Sequence, residues 1–311
     1  MGILQFDSRK NYFDGCGTEI SGAQKTETAI KLAGLDFEVK KQPLFLANGK
    51  QADGCYANVR MDTEEILGQC KERYEVLQNS EAFDFLDSFI ENGADYVNAG
   101  TIKGGKQSFI VAQTEPMKIL GDEFKPYILF TNSFDGSTGV QAMFTPVRVF
   151  CSNCFVAATK QAENKITIKH SKNMKDKLMI ARDIMLQNTK YLDYLKAKSE
   201  ELATTELTKE QFESVVEQIV PIKPEAAGAV LERQEAFRQD IMRAYNEDDL
   251  QNYNNTVYKA LMAIADAESH KKTLRVTDNA QFQAMSRIMG GMVLLNAAAQ
   301  EIGKRLGQRI F

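Results

Sequence analysis

Two pairs of apolar runs, each pair broken by a glycine turn, constrain this chain most. Tyr96 to Ile102 and Gln107 to Gln113 flank Gly104-Gly105, and Tyr127 to Ser133 and Ser137 to Phe144 flank Asp135-Gly136. Gly-Gly and Asp-Gly suit two-residue hairpin turns, which need positive φ. The centre of the chain therefore reads as an antiparallel sheet. Further strands are expected at Pro43 to Leu46, with Asn48-Gly49 turning after it, and at Tyr56 to Arg60, Ile66 to Leu77 and Val147 to Cys151. A helix capped by Asn79 follows from Ala82, Phe83, Leu86, Phe89 and Ile90, with Glu81 in its first turn and Gly93 stopping it. Ser152 or Asn153 is placed to cap a helix after Cys151.

From about residue 172 the pattern turns helical. One amphipathic stretch runs to about Ala203, and Thr208-Lys-Glu-Gln211 has the form of a capping box. Pro221 and Pro224 break that helix, and further helices fit 225–246, 255–270 and 279–307. Strands grouped first and helices grouped later argue for an α+β fold. The expected organisation is a strand-rich α+β core over 1–171 with an antiparallel or mixed sheet. A helical region over 172–311 would pack on it or mediate assembly. With 311 residues and 43% hydrophobic composition, the chain can bury a substantial core.

Charge is segregated. Residues 51–100 hold three Lys/Arg against eleven Asp/Glu, 151–200 hold ten against five, and 201–250 return to five against twelve. The net charge of −4 does not suit a dedicated non-specific duplex binder, which is strongly basic. The basic stretch between the acidic blocks is more informative. Lys160, Lys165, Lys169, Lys172, Lys175, Lys177 and Arg182 face only Glu163 and Asp176. Strand alternation over 165–170 puts Lys165, Thr167 and Lys169 on one face and Ile166 and Ile168 on the other. Lys103 and Lys106 flank the Gly104-Gly105 tip, and Arg148 lies in the strand before Cys151. These residues could follow a phosphate backbone by displacing its counterions. A solvated face balanced by the acidic blocks is the plainer alternative.

Catalytic signals are weak. Cys151-x-x-Cys154 is half a zinc site at most, and only two histidines, His170 and His270, are available to complete it. The expectation is two cysteines packed as small apolar groups, no metal and no cofactor. Both histidines read as surface or helix-end residues. The glycines lack the spacing of a P-loop or a dinucleotide fingerprint. Five sparse cysteines suit free thiols in a reducing compartment. No run approaches the roughly 20 apolar residues of a membrane span, and the N-terminus lacks a signal-peptide layout. A cytoplasmic location is expected.

Three stretches carry a family likeness: Leu67-Gly68 through Tyr74-Glu-Val-Leu-Gln-Asn79-Ser-Glu-Ala-Phe83; Ala99-Gly100-Thr-Ile-Lys103-Gly104-Gly105; and Phe130-Thr-Asn-Ser-Phe-Asp-Gly136-Ser, continuing to Thr145-Pro-Val-Arg148 and Cys151-Ser-Asn153. Together they resemble the phage/plasmid-like protein family, the domain of unknown function numbered nine-three-two. Phe134 stands where that family often has His, and Cys154 is an addition. The resemblance implies a mobile-element setting in a bacterial host cell, without a settled activity. Two functions fit. One is a non-enzymatic accessory that binds or anneals single-stranded DNA in replication or recombination, in outline similar to phage annealing proteins. The other is an anti-defence protein that binds and inhibits a host immune factor through Asp84, Asp87 and Glu91, Glu210, Glu213 and Glu217, and Glu247, Asp248 and Asp249. A homo-oligomer is expected through helix 279–307, where Met285, Ile288, Met289, Met292, Val293 and Ala297 cover more than one face.

Overall fold

The structure, a computed structural model, describes residues 17–148, 153–154, 165–186, 189–222, 228–270 and 293–310. It has the α+β architecture expected from the segregated strands and helices. The strands are β1 (Thr18–Glu19), β2 (Val39–Phe45), β3 (Gln51–Arg60), β4 (Ile66–Lys71), β5 (Asp95–Ile102), β6 (Gln107–Gln113), β7 (Met117–Ile119), β8 (Asp122–Ser133), β9 (Val140–Arg148), β10 (Asn153–Cys154) and β11 (Lys165–Ile168). Eight form one antiparallel sheet in the order β1-β5-β6-β8-β9-β10, with β11 on β9 and β7 on β8. The other three form a small antiparallel sheet, β2-β3-β4.

Helices cover both faces of the larger sheet, so its central strands are apolar on both sides. Ile110, Ala112, Ile128, Phe130 and Phe144 pack on one face against α1 (Thr26–Leu32), α2 (Asn79–Phe83), α3 (Asp87–Glu91) and α4 (Met174–Leu186). Helix α4 contributes Met174, Leu178, Ala181 and Met185, a spacing that makes one apolar stripe. Phe109, Val111, Leu129 and Met143 face the other way. They meet α5 (Thr189–Thr204), α6 (Lys209–Ile219), α7 (Ala229–Tyr245), α8 (Val257–His270) and α9 (Val293–Leu306). Helix α8 is buried all round from Val257 to Ala265, which makes it the axis of this layer.

Local chemistry explains several elements. The Thr208–Gln211 capping box forms as expected: Gln211 N donates to Thr208 Oγ1 at 3.3 Å and Thr208 N to Gln211 Oε1 at 2.9 Å. Helix α9 is capped from outside its own sequence. The Glu268 carboxylate on α8 accepts from Leu294 N and Leu295 N, each at 3.0 Å. Asp87 caps α1 in the same way, with Oδ1 accepting from Thr26 N and Thr26 Oγ1 at 2.7 Å and from Tyr96 Oη at 2.9 Å.

Other expectations need correction. The helix from Asn79 is broken by a 3-10 turn at Asp84–Leu86, and the strand from Ile66 stops at Lys71. The amphipathic stretch to Ala203 is two helices, α4 and α5. Asn153 and Cys154 pair as a strand with Arg148 and Val147 rather than opening a helix. Neither turn has two residues. Ile102 pairs with Gln107, leaving a four-residue loop in which Lys103, Gly104 and Gly105 have φ of 55°, 65° and 85°. The last register pair of the second hairpin is Thr131 with Gln141, so Asp135-Gly136 lies within a longer loop. The side chain of Asp135 shapes that loop by accepting from Ser137 N at 2.9 Å and Ser137 Oγ at 2.6 Å. Cys151 and the expected assembly residues 279–292 lie outside the described residues. Within the described residues no helix is long and apolar enough to cross a membrane.

Candidate nucleic-acid interface

The register of the larger sheet brings three segments to one end. Gln107 pairs with Ser133, Thr131 with Gln141, and Val140 with Ile168. The 103–106 loop, the loop after β8 and the segment after β11 therefore emerge side by side. Lys103, Lys106, Lys169 and Lys172 are exposed there, and Lys175 follows on the first turn of α4. Lys106 precedes β6 and Lys169 follows β11, three strand spacings away, which is roughly 14 Å at about 4.8 Å per spacing. Lys175 is paired with Glu81 at 2.6 Å, in the open.

Not all the sequence candidates gather here. Arg148 is at the far end of β9, opposite Phe124, eight residues from Val140 and so roughly 26 Å away. Lys165 pairs with Met143, midway along β9, and Lys160 lies outside the described residues. Lys169 follows the strand rather than lying in it.

The loops are held in place by side chains that charge patterning did not single out. Asn58 Nδ2 donates to Phe134 O at 2.7 Å, and Tyr74 Oη donates to Ser133 O at 2.8 Å. Asn132 Nδ2 donates to Leu77 O at 2.9 Å, and Asn79 Nδ2 to Leu35 O at 2.9 Å. Gly68 lies against the backbone of Asp135: a Cβ there would come within 2.3 Å of Asp135 Cα. Burial opposes ionisation of Asp135. Hydrogen bonds from Ser137 and Ser133, with Lys103 nearby, nonetheless hold its carboxyl below the usual value. The small sheet is thereby tied to the lysine-bearing end. Asn58, Tyr74, Asn79 and Asn132 are polar residues in apolar surroundings, and each satisfies backbone that would otherwise be orphaned.

His170 is not a surface residue. It is 8% exposed and stacks on Tyr74, with ring centroids 4.7 Å apart and planes 20° apart. Its Nδ1 lies 3.2 Å from Glu75 O, while Nε2 is buried with no hydrogen-bond partner. Burial lowers its pKa, and the Glu75 carbonyl acts in the opposite direction. His170 thus pins the turn that carries Lys169 and Lys172 to the segment after β4. His270 ends α8, as expected from the sequence. Among the described residues no group of three or more His, Cys, Asp or Glu is placed to hold a metal.

Some acids of the acidic blocks have partners within the chain, buried or at the surface. Asp87 is the α1 cap, and Glu213 lies 4.0 Å from Lys209. Burial raises the pKa of Asp84, and Asp87 and Glu81 raise it further.

Fold and site together define an α+β protein whose central antiparallel sheet, covered by helices on both faces, carries a row of lysines on the loops at one end. The chain matches the family model described as Domain of unknown function (DUF932) over residues 66–289, and it belongs to that family. The match spans the three motif stretches that meet around Gly68, Gly105 and Asp135. No curated protein and no solved structure matches the chain.

Proposed function

We propose that this protein binds single-stranded nucleic acid through the lysine-bearing end of its larger sheet. Its role would be that of a non-enzymatic accessory in the replication or recombination of a mobile element. One observation carries the reading: Lys103, Lys106, Lys169 and Lys172 come from segments far apart in sequence yet share one end of the sheet, all exposed. Lysines on short loops suit a phosphate backbone, which they contact as point charges without reading bases. The tie of these loops to Asn58, Tyr74 and His170 holds the charges in place before binding and so reduces the ordering cost.

Fluorescence anisotropy of a labelled single strand at several salt concentrations tests this. Each neutralised phosphate contributes about 0.7 to the slope of log affinity against log salt, so four lysines give roughly 3. Changing Lys103, Lys106, Lys169 and Lys172 to Glu should abolish binding without unfolding the protein. Arg148→Glu should weaken it little, because Arg148 sits at the other end of β9. No binding by the wild-type protein at low salt would refute the proposal and leave inhibition of a host factor as the stronger reading.

A further inference from the structure

The small sheet has an apolar tip at one end and an acidic groove at the other. Strand β4 pairs with β3 only from Cys55 onward. Beyond that point β2 and β3 continue alone as a two-stranded arm, closed by a turn in which Leu46 N donates to Lys50 O at 2.8 Å and Gly49 N to Leu46 O at 2.9 Å. Phe45 and Leu46 at the tip are 62% and 53% exposed. An isolated two-stranded hairpin is marginal in water, and an exposed apolar tip adds to its cost.

At the opposite end of the same sheet lies an open groove of about 500 Å³, lined by Asp36, Phe37, Glu38, Arg60, Met61 and Asp62. Phe37 is buried beneath it, covered by the Arg60 guanidinium 4.0 Å from the ring centroid, and Met61 is half-buried beside them. Glu64 and Glu65 are exposed on the adjoining β3–β4 loop, followed by Ile66, 58% exposed. Five acids (Asp36, Glu38, Asp62, Glu64 and Glu65) thus stand against Arg60 and Lys40, which pair with Asp62 and Glu38. The turn at the tip carries one charge, Lys50.

We infer that the tip of one protomer docks into this groove on a second copy of the chain, with Phe45 and Leu46 against Met61 and the planar Arg60 guanidinium that covers Phe37, and Lys50 among the acids. The tip cannot reach its own groove, because Val39 to Phe45, paired with β3, sets them roughly 20 Å apart. Tip and groove are different surfaces, so the contact is heterologous. Each protomer then offers a free tip and a free groove to the next, and the assembly grows into a filament or closes into a ring.

Sedimentation velocity of the full chain without nucleic acid, over a concentration series, reads this directly. The wild-type protein should grow with concentration. F45S/L46S and E64K/E65K should each weaken association by about tenfold or more while leaving the circular dichroism spectrum unchanged, since all four side chains are exposed. Mixed together, the two variants should form heterodimers that do not extend, because only one intact tip–groove junction remains. Adding Lys50→Glu to E64K/E65K should restore part of the loss. A wild-type protein that stays monomeric throughout would overturn the inference. So would variants that associate like the wild type, or a mixture that stays monomeric.

Discussion

Gly68→Ala isolates the contact that joins the two sheets. Gly68 has no positive φ, so in open space alanine would stabilise by about 0.4–1 kcal/mol through the unfolded chain. Here the new Cβ would meet Asp135 Cα at 2.3 Å, with Asp135 C and Phe134 O at 2.9 Å. All three are backbone atoms and cannot rotate away, so β4 and the loop after β8 must separate. Overpacking of this kind costs about 1–3 kcal/mol. The separation also stretches the buried bond from Asn58 to Phe134 O, worth roughly another 1 kcal/mol. A net loss of about 3 kcal/mol is expected. Gly54→Ala is the control: its φ of 66° is strained for alanine but nothing lies within 4 Å, so the cost is about 1–2 kcal/mol. Thermal unfolding followed by circular dichroism should place Gly68→Ala about 6 °C below wild type, at roughly 2 °C per kcal/mol for a chain of this size. A Gly68→Ala protein as stable as wild type would refute the close approach and the docking of the small sheet.

Acid should weaken the fold through His170. Its folded pKa lies below the ordinary 6.5, so between the two values the unfolded chain binds a proton that the folded chain does not. Stability is therefore full above about pH 6.5 and falls with pH by up to about 1.4 kcal/mol per unit until the folded pKa is reached. Urea midpoints from pH 8 to 5 should show this slope in wild type and a shallower one in His170→Phe; parallel profiles would contradict it. Glu268→Ala removes both acceptors from the start of α9 and should cost about 1–2 kcal/mol. Hydrogen exchange should then speed up at Leu294 and Leu295 first, and unchanged protection there would count against the cap.

The fold class was legible in the sequence because it rests on local chemistry. Apolar runs punctuated by glycine gave β5, β6, β8 and β9, and Thr208 with Gln211 marked the start of α6 through bonds three residues apart. Where the chain itself supplied no partner, the reading failed. Asp135-Gly136 looked like a two-residue turn, but Asp135 bonds and packing against Gly68 open it into a longer loop. His170 looked exposed among lysines, and only the approach of Tyr74, 96 residues earlier, buries it.

The sequence by itself determined that strands come first, that helices follow, and that positive charge collects between acidic blocks. Those are properties of neighbours along the chain, set by side-chain periodicity and composition. Only the tertiary structure decided which charges share one end of the sheet. Strand register brings Lys103 and Lys106 to the same end of the sheet as Lys169 and carries Arg148, nearer to Lys169 in sequence, to the far end. The physical reason is that register depends on which faces are buried across several strands at once, and no single stretch of sequence contains that information.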